Sequence, residues 1–564
     1  MPYIDWLGKK DVVNHHKKIP YKTIECKEEI GELNSSNMII KGDNLLALKS
    51  LLPYYASSVK MIYIDPPYNT GNTTWVYNDN MDSPIIKKWL KNTVNAEDLS
   101  RSDKWLCMMY PRLKLLRELL KDDGVIFISI DDAEVAHLRM ICDEIFGSEN
   151  FISIIQWRRS ESQNNNAKQL SKVGEFIICY GKQNKEKIIF NNINLTDKAT
   201  KEYRYKDEID NFRRGTIIDN SRGKNLLKVT SPKGITTEIK SIRNMDWFIE
   251  KETQNLIYWT DNGTPYLKLY LKDSEGQKAS NWFDNVGVNE DASETLSNLN
   301  IKFDFSKPYQ LIQHIIKLAT SKDDIILDSF AGSGTTAHAV LEQNALDGGN
   351  RKFILVETMD YAKDITAERV KRVVEGYSFT GKDKTTLFEK KLSTTDILNS
   401  KKMQDLSNEV KTIVEENSSN FDKIEKSFKE NSLKIEGIKD IKGFKKGLGG
   451  GFKYCELGDD IFDEFGELNK NLDFFQIAKH IYFVEFKKPI LKEEIKEPFV
   501  GKLDEKFIYF YNKNFTNRDL KLLLKEHLPY KEIVIYTKKS TISKEELKSI
   551  NINIRFIPYD IKEN

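Results

Sequence analysis

Cysteine is scarce in this 564-residue chain. The five present, Cys26, Cys107, Cys142, Cys179 and Cys455, are odd in number, widely spaced and never in a Cys-x-x-Cys pair, which excludes a disulfide framework or a zinc knuckle as the organising device. The seven histidines bring no metal spacing, and the one adjacent pair, His15-His16, reads as ordinary surface. Long apolar runs are missing as well. No stretch approaches the roughly 20 residues a membrane span needs and the first residues are polar, so the expectation is a reduced, cytoplasmic protein with no membrane partner. Net charge is nearly absent, at +2. No global positive field therefore announces a polyanionic partner, and such a surface has to come from charge placement. No Gly-x-x-x-x-Gly-Lys-Ser/Thr stretch occurs, so the sequence carries no recognisable P-loop ATPase, and no repeat at solenoid periods is found.

What is present suits a multidomain globular protein, with 39% hydrophobic and 30% charged residues. Residues 38–150 alternate strands and helices. Met38-Ile39-Ile40 and Met61-Ile62-Tyr63-Ile64 are short apolar runs, and Leu113, Leu115, Leu116, Leu119 and Leu120 lie at helical spacing closed by Gly124. Val125–Ile130 is a further strand, after which Asp131-Asp132 is expected to cap a helix ending at Gly147. Continuous apolar strands between helices predict a parallel sheet covered on both faces. From 151 to 300 this rhythm breaks. Basic and polar clusters (Arg158-Arg159, Asn164-Asn165-Asn166, Arg213-Arg214) are interleaved with Trp157, Trp247, Trp259 and Trp282. The α/β pattern returns over 301–380. The reading is one α/β domain (1–150 and 301–380) interrupted by an inserted module (151–300). A helical linker (381–440), with Met403, Leu406, Val410, Ile413, Phe421, Ile424 and Phe428 at helical spacing, then leads to a C-terminal α/β domain (441–564).

Two features carry chemistry. Asp328-Ser329-Phe330-Ala331-Gly332-Ser333-Gly334-Thr335-Thr336 follows a strand and precedes a helix, and Glu357 ends the next strand, 23 positions after Gly334. Small residues let backbone approach a ligand, and an acid there can accept both ribose hydroxyls, which is the logic of nucleotide-type cofactor binding. Alone, this turn equally suits an NAD-dependent dehydrogenase. The second feature is Asp65-Pro66-Pro67-Tyr68, at the end of another apolar strand. An exocyclic base amine is a poor nucleophile because its lone pair is delocalised into the ring. It needs acceptors for its hydrogens; Asp65 can take one and the Pro66 carbonyl the other, while two prolines stiffen the loop and remove donors. Tyr68 offers a face on which an extruded base can stack. A plain proline turn is the alternative.

With both features in view, the sequence resembles the β-class amino-methyltransferases, and specifically the Mod subunits of type III restriction–modification systems. In that class the catalytic motif precedes the cofactor motif, with a target-recognition insertion between; here Tyr68 precedes Phe330 by 262 positions. Also similar are Lys41–Leu45, Ile64–Asn72, Trp75–Asp79, Lys104–Leu113, Ile130–Asp132, Glu144–Gly147, Lys307-Pro308, Gly451–Tyr454 and Ala478–Ile481. The resemblance implies a Rossmann-like methyltransferase fold: a doubly wound mixed sheet with permuted motif order, an inserted target-recognition domain and an α/β C-terminal domain. It implies S-adenosylmethionine as cofactor and the adenine N6 amine of double-stranded DNA as acceptor. Asp65, Pro66, Pro67 and Tyr68 would sit at the target base. Phe330, Gly332, Gly334, Thr335 and Asp328 would lie around the cofactor, with Glu357 on its ribose, Lys307 near its methionine part, and Asp43 and Asn44 nearby. No metal is required. The expected partners are a second copy of the chain, with residues 400–436 as a candidate contact, and a separate ATP-driven Res subunit.

The rivals are a solitary methylase, cytosine N4 methylation, an RNA substrate and, more remotely, a combined methylase–nuclease using Glu485-Phe486-Lys487 with Asp459-Asp460 or Asp473. Asp at the first motif position resembles the adenine enzymes more than the cytosine ones. No Pro-Cys dipeptide exists for cytosine C5 chemistry.

Overall fold

In the computed structural model, residues 4–70, 100–163, 167–429, 431–463, 467–526, 532–558 and 560 are described. Gly71-Asn72, Trp75–Asp79 and Asn164–Asn166 lie outside the described residues. The chain divides into two compact units, residues 190–280 and the remainder.

The larger unit is built on a ten-stranded sheet. Its strands are β1 (Lys22–Gly31), β2 (Met38–Lys41), β3 (Val59–Ile64), β4 (Leu120–Ile130), β5 (Phe151–Arg158), β6 (Gly174–Gly181), β7 (Trp282–Phe283), β8 (Ile325–Asp328), β9 (Lys352–Glu357) and β10 (Gly451–Asp460). Their spatial order is β1-β10-β2-β9-β8-β3-β4-β6-β5-β7. The run from β10 to β4 is parallel, whereas β1 and β6 are antiparallel to their neighbours. Its helices include α1 (Asn44–Tyr55), α2 (Arg101–Leu119), α3 (Val135–Phe146), α4 (Tyr309–Ala319), α5 (Thr335–Asp347), α6 (Glu368–Glu375) and α7 (Phe474–Phe486). Strands buried on both faces explain the unbroken apolar runs: Met61, Ile62, Ile64 and Val125–Ile128 are fully buried.

The register decides the function-bearing edge. β8 pairs with β3 through Ile326–Met61 and Leu327–Ile62, so the loops after Ile64 and Asp328 leave neighbouring strand ends. The chain proceeds from β3 towards β4 on one side and from β8 towards β9 on the other, which makes this the switch point of the sheet, where open α/β sheets bind ligands.

The structure corrects several boundaries. Residues 151–189 and 281–300 belong to the larger unit and not to an inserted module, because β5 and β6 extend the sheet through β4 and Trp157 is fully buried. The separate unit is the narrower 190–280, with strands at 205–206, 211–216, 257–259 and 265–270, a hairpin over 225–241 and a small core of Ile217, Leu227, Val229, Ile239, Phe248 and Ile257. In it Arg214 stacks on Tyr205 and Tyr258 at 4.2 and 4.7 Å. The linker is helical only over 394–417. Ile424 and Phe428 fall on a strand in a three-stranded antiparallel sheet with 376–391 and 432–446, where cross-strand pairing overrides their helical spacing. Gly451–Tyr454 begins β10 in the main sheet, so the last independent layer starts later, as a four-stranded sheet over 499–556. Gly124 lies inside β4 rather than ending a helix, and Asp131 caps the turn before α3 by accepting the Ala133 N–H at 2.8 Å. His16 is buried. All five thiols are free, and Cys26 alone is exposed. Among the described residues no helix is long and apolar enough to cross a membrane.

Candidate active site

The loop after β3 is made stiff by its own sequence. Pro66 and Pro67 cannot donate to a sheet ladder, so pairing stops at Ile64. Asn69 then takes a left-handed turn (φ 61°), tolerable for asparagine, and its side-chain amide donates to Glu134 at 2.6 Å. From α2 the buried Trp105 indole donates to the Pro67 carbonyl at 2.6 Å. The Tyr68 hydroxyl donates to Asp65 at 2.8 Å. Lys307, in the segment before α4, donates to both Asp65 oxygens at 3.0 and 2.9 Å, and its ammonium lies 4.9 Å from the centre of the Tyr68 ring. Burial pushes the Asp65 carboxyl above its ordinary value, outweighing the opposing pull of Lys307. Burial also disfavours the Lys307 charge, but Asp65 and Glu175 overcome it and hold the ammonium above its usual range.

The turn after β8 is held through both its backbone and its side chains. Asp328 accepts the Phe330 N–H at 2.9 Å and the Thr336 hydroxyl at 2.6 Å, and its burial pushes its carboxyl up to about 7. Glu357 accepts the N–H of Gly332 at 2.7 Å and of Met359 at 2.9 Å; burial raises it to about 7 despite those donors. Gly334 caps α5 at φ 84°, where an added Cβ would meet the Thr366 carbonyl at 3.0 Å. Thr335, Ser333 and Ser306 hydroxyls cluster within 2.9–3.2 Å. The buried Arg369 donates to all three at 2.6–3.1 Å, and burial lowers its guanidinium to about 9.

The two loops open on one cavity of about 240 Å³. Of the residues expected at the site, Asp65, Pro66, Pro67, Tyr68, Lys307, Asp328, Phe330, Gly332 and Thr335 line it. Asp43, Asn44, Gly334 and Glu357 do not. Asp43 caps α1 by accepting the N–H of Leu45 and Leu46, while Asn44 donates to the Ser329 carbonyl at 3.2 Å and accepts from Arg112 at 2.6 Å. Asn44 and Glu357 thus hold the backbone of the turn, at Ser329 and Gly332. Lys307 points at Asp65 rather than at the turn.

Two charged residues of the cavity were not among the expected site residues. Glu175 begins β6, which runs antiparallel to β4 with Phe176 opposite Ile130, so the start of β6 lies where the parallel strands end. Arg159, read only as a basic surface pair, donates to Glu175 at 3.1 Å. The available signal was an acid directly before the apolar run Phe176–Tyr180; its use as a cue depends on strand direction, which sequence does not display. Four carboxyls (Asp65, Asp131, Glu175, Asp328) and two cations (Arg159, Lys307) line the cavity, a balance suited to a cationic ligand. The nuclease candidates do other work. Asp473 caps α7, Glu485 accepts the Tyr536 hydroxyl, and Lys487 ends the helix. Among the described residues no group of three or more His, Cys, Asp or Glu is placed to hold a metal ion.

A family model described as DNA methylase matches residues 59–368, more than half of the chain. The type III restriction-modification enzyme StyLTI Mod subunit of Salmonella typhimurium is 38% identical over 58% of this chain and 53% of its own length. The EcoPI Mod subunit of Escherichia phage P1 is 30% identical over 70% of this chain and 69% of its own. The type II methyltransferase M.KpnI of Klebsiella pneumoniae is 31% identical over 58% and 81%, respectively. Among solved structures, PvuII DNA methyltransferase (cytosine-N4-specific) aligns with 59% of this chain and 86% of its own at 14% identity and a TM-score of 0.32. The chain spans about half the length of the StyLTI subunit. Its methylase match encloses both loops of the cavity, and the chain belongs to the DNA methylase family.

Proposed function

We propose that this chain transfers a methyl group from S-adenosylmethionine to the N6 amine of adenine in double-stranded DNA, acting on a base turned out of the helix. The observation that carries the reading is the shared cavity: Asp65-Pro66-Pro67-Tyr68 on one side and Phe330–Thr335 on the other, brought together by β3–β8 pairing. Asp65 accepts one amine hydrogen and the Pro66 carbonyl the second, which favours a tetrahedral nitrogen with its lone pair available. An amine arriving there takes over acceptor sites that Lys307 and Tyr68 use in this structure. The raised Asp65 carboxyl is suited to receive the proton the amine sheds after transfer. Tyr68 supplies a stacking face worth roughly 1–3 kcal/mol.

The residues fit the cofactor. Phe330 offers an aromatic face, the Ser306/Ser333/Thr335 hydroxyls offer polar partners, and the excess of carboxyls favours a sulfonium. When bound, S-adenosylmethionine supplies an electrophilic methyl on positively charged sulfur. Glu357 accepts the N–H of Gly332 and Met359 and also meets the Thr358 N–H and the Tyr361 hydroxyl, so a ribose hydroxyl reaching it would take the place of one of these donors.

The Mod relatives support a modification subunit of a type III system; we further propose that it acts as a homodimer with a separate Res subunit in the cytoplasm, with residues 190–280 as the candidate target-recognition unit. The test is expression in a host lacking methylases, with genome-wide mapping of modified bases. N6-methyladenine on one strand of a single asymmetric motif supports the type III reading. A palindromic motif modified on both strands points to a stand-alone type II modification enzyme, which M.KpnI represents among the relatives, and N4-methylcytosine replaces adenine as target. No modified base, with wild-type and Asp65→Ala strains alike, sinks the proposal. A monomeric mass by light scattering with activity intact removes the homodimer.

A further inference from the structure

Glu175 lies outside both motifs yet faces the groups that hold Asp65. Its side chain is buried at the start of β6. One of its oxygens accepts the Tyr68 hydroxyl at 3.1 Å and sits 3.5 Å from the Lys307 ammonium; the other accepts from Arg159 at 3.1 Å. Lys307 and Tyr68 are the same two donors that occupy Asp65. Each therefore has two acceptors within reach, one on the acid of the reaction and one on Glu175. The phenol has a single proton and can give it to only one of them at a time.

This arrangement answers a difficulty in the proposed reaction. Asp65 has to present its oxygens to the base amine, but a buried ammonium holds both of them. Pulling Lys307 away with no other carboxylate nearby would leave a buried charge unpaired, which is strongly unfavourable. We propose that Glu175 is a positioning residue for methyl transfer: as the target amine takes Asp65, Lys307 and the Tyr68 hydroxyl shift onto Glu175. Arg159 keeps the Glu175 carboxylate in place and balances its charge before the shift. The exchange moves donors by side-chain rotation alone and makes or breaks no covalent bond.

The inference rests on the methyltransferase reading, and the experiment separates the two. Transfer of labelled methyl from S-adenosylmethionine to genomic DNA of a methylase-free host is measured for the full-length wild type, E175Q, E175D, K307M and E175Q/K307M. Calorimetry gives cofactor affinity in parallel. E175Q is expected to lower kcat by about 10- to 100-fold, with cofactor Kd and the KM for S-adenosylmethionine unchanged within about twofold. E175D, which keeps the charge but draws it back by one methylene, is expected to fall in between, and it carries the test if E175Q is insoluble. In the K307M background E175Q should cost no more than about threefold, because Glu175 acts through the lysine it receives. An active wild type with E175Q or E175D equal to it overturns the role of Glu175 and leaves the methyltransferase reading standing. The same holds for an undiminished E175Q effect without Lys307, or for a matching loss of cofactor affinity. A wild type that transfers no label to DNA overturns both.

Discussion

Asp65 and Glu357 stand at the ends of strands two places apart in one sheet, the first half-buried and the second buried, and they are held in different ways. Asp65 is gripped by side chains, the Lys307 ammonium and the Tyr68 hydroxyl, each of which can rotate to another partner. Glu357 is gripped chiefly by backbone N–H groups, those of Gly332 and Met359, which can leave only if the turn itself rearranges, with the Tyr361 hydroxyl as a side-chain partner. Under the proposed function, the difference teaches how one cavity can serve two ligands. The glycine turn is a fixed mould, as suits a cofactor that returns each cycle in one pose. The Asp-Pro-Pro-Tyr side has a stiff backbone but exchangeable hydrogen bonds, as suits a base that has to displace something in order to dock.

The largest expected effect breaks the side-chain half. Asp65→Ala should lower methyl transfer by at least about 10³-fold, while calorimetry finds S-adenosylmethionine affinity unchanged. A comparable loss of cofactor binding would merge the two halves and end the contrast.

Glu357→Gln probes the backbone half. It places an amide donor against a backbone N–H, and S-adenosylmethionine Kd should rise by about 10- to 100-fold, or roughly 1.4–2.8 kcal/mol. The same acid leaves a signature in stability. Its folded value of about 7 exceeds the ordinary 4.5, so its contribution to stability is fully present below about pH 4.5 and is lost as pH rises through 7. That loss is on the order of 3 kcal/mol. Asp328, raised from 3.8 to about 7, acts in the same direction. Urea titrations of the wild type should show stability falling across this window, with a shallower fall in E357Q; parallel slopes would show that Glu357 is not protonated in the folded state.

Gly334→Ala tests the mould itself. At φ 84°, with a Cβ 3.0 Å from the Thr366 carbonyl, alanine should cost about 1–3 kcal/mol in a denaturation titration and weaken cofactor binding with it. Pro67→Ala on the opposite loop should cost only about 0.4–1 kcal/mol, chiefly by freeing the unfolded chain, because the Trp105 bond goes to the carbonyl and survives. A larger loss from P67A than from G334A would reverse the assignment of mould and exchangeable side.

Much of the core could be read locally. The runs at 38–40, 61–64, 125–130, 325–327 and 353–356 are strands because apolar residues between two helix layers need no alternation. Asp65-Pro66-Pro67 marked a strand end because proline cannot continue a ladder, and Gly334 marked a helix start because only glycine adopts that turn without strain. Other readings failed for identifiable reasons. Ile424 and Phe428 keep helical spacing yet sit in a strand, since a 15-residue neighbour (432–446) supplies hydrogen bonds that spacing cannot reveal. β5 and β6 read as part of the insertion because β6, antiparallel to both β4 and β5, breaks the strand–helix rhythm without leaving the sheet. Glu175 was missed along with them.

By itself, then, the sequence determined which groups were available: an acid beside two prolines and a tyrosine, a glycine turn with an acid one strand on, and the resemblance that joins them. Only the tertiary structure decided which of these groups meet. Pairing of β3 with β8 places positions 65 and 328 at adjacent strand ends although most of the chain's first half lies between them. It also turned Lys307 onto Asp65, set Asn44 and Glu357 on the backbone of the turn, and brought Glu175 into the cavity. The physical reason is that side-chain chemistry is a local property of the residue, whereas proximity depends on strand order and direction, which arise from hydrogen bonds between segments that carry no mark of their partner.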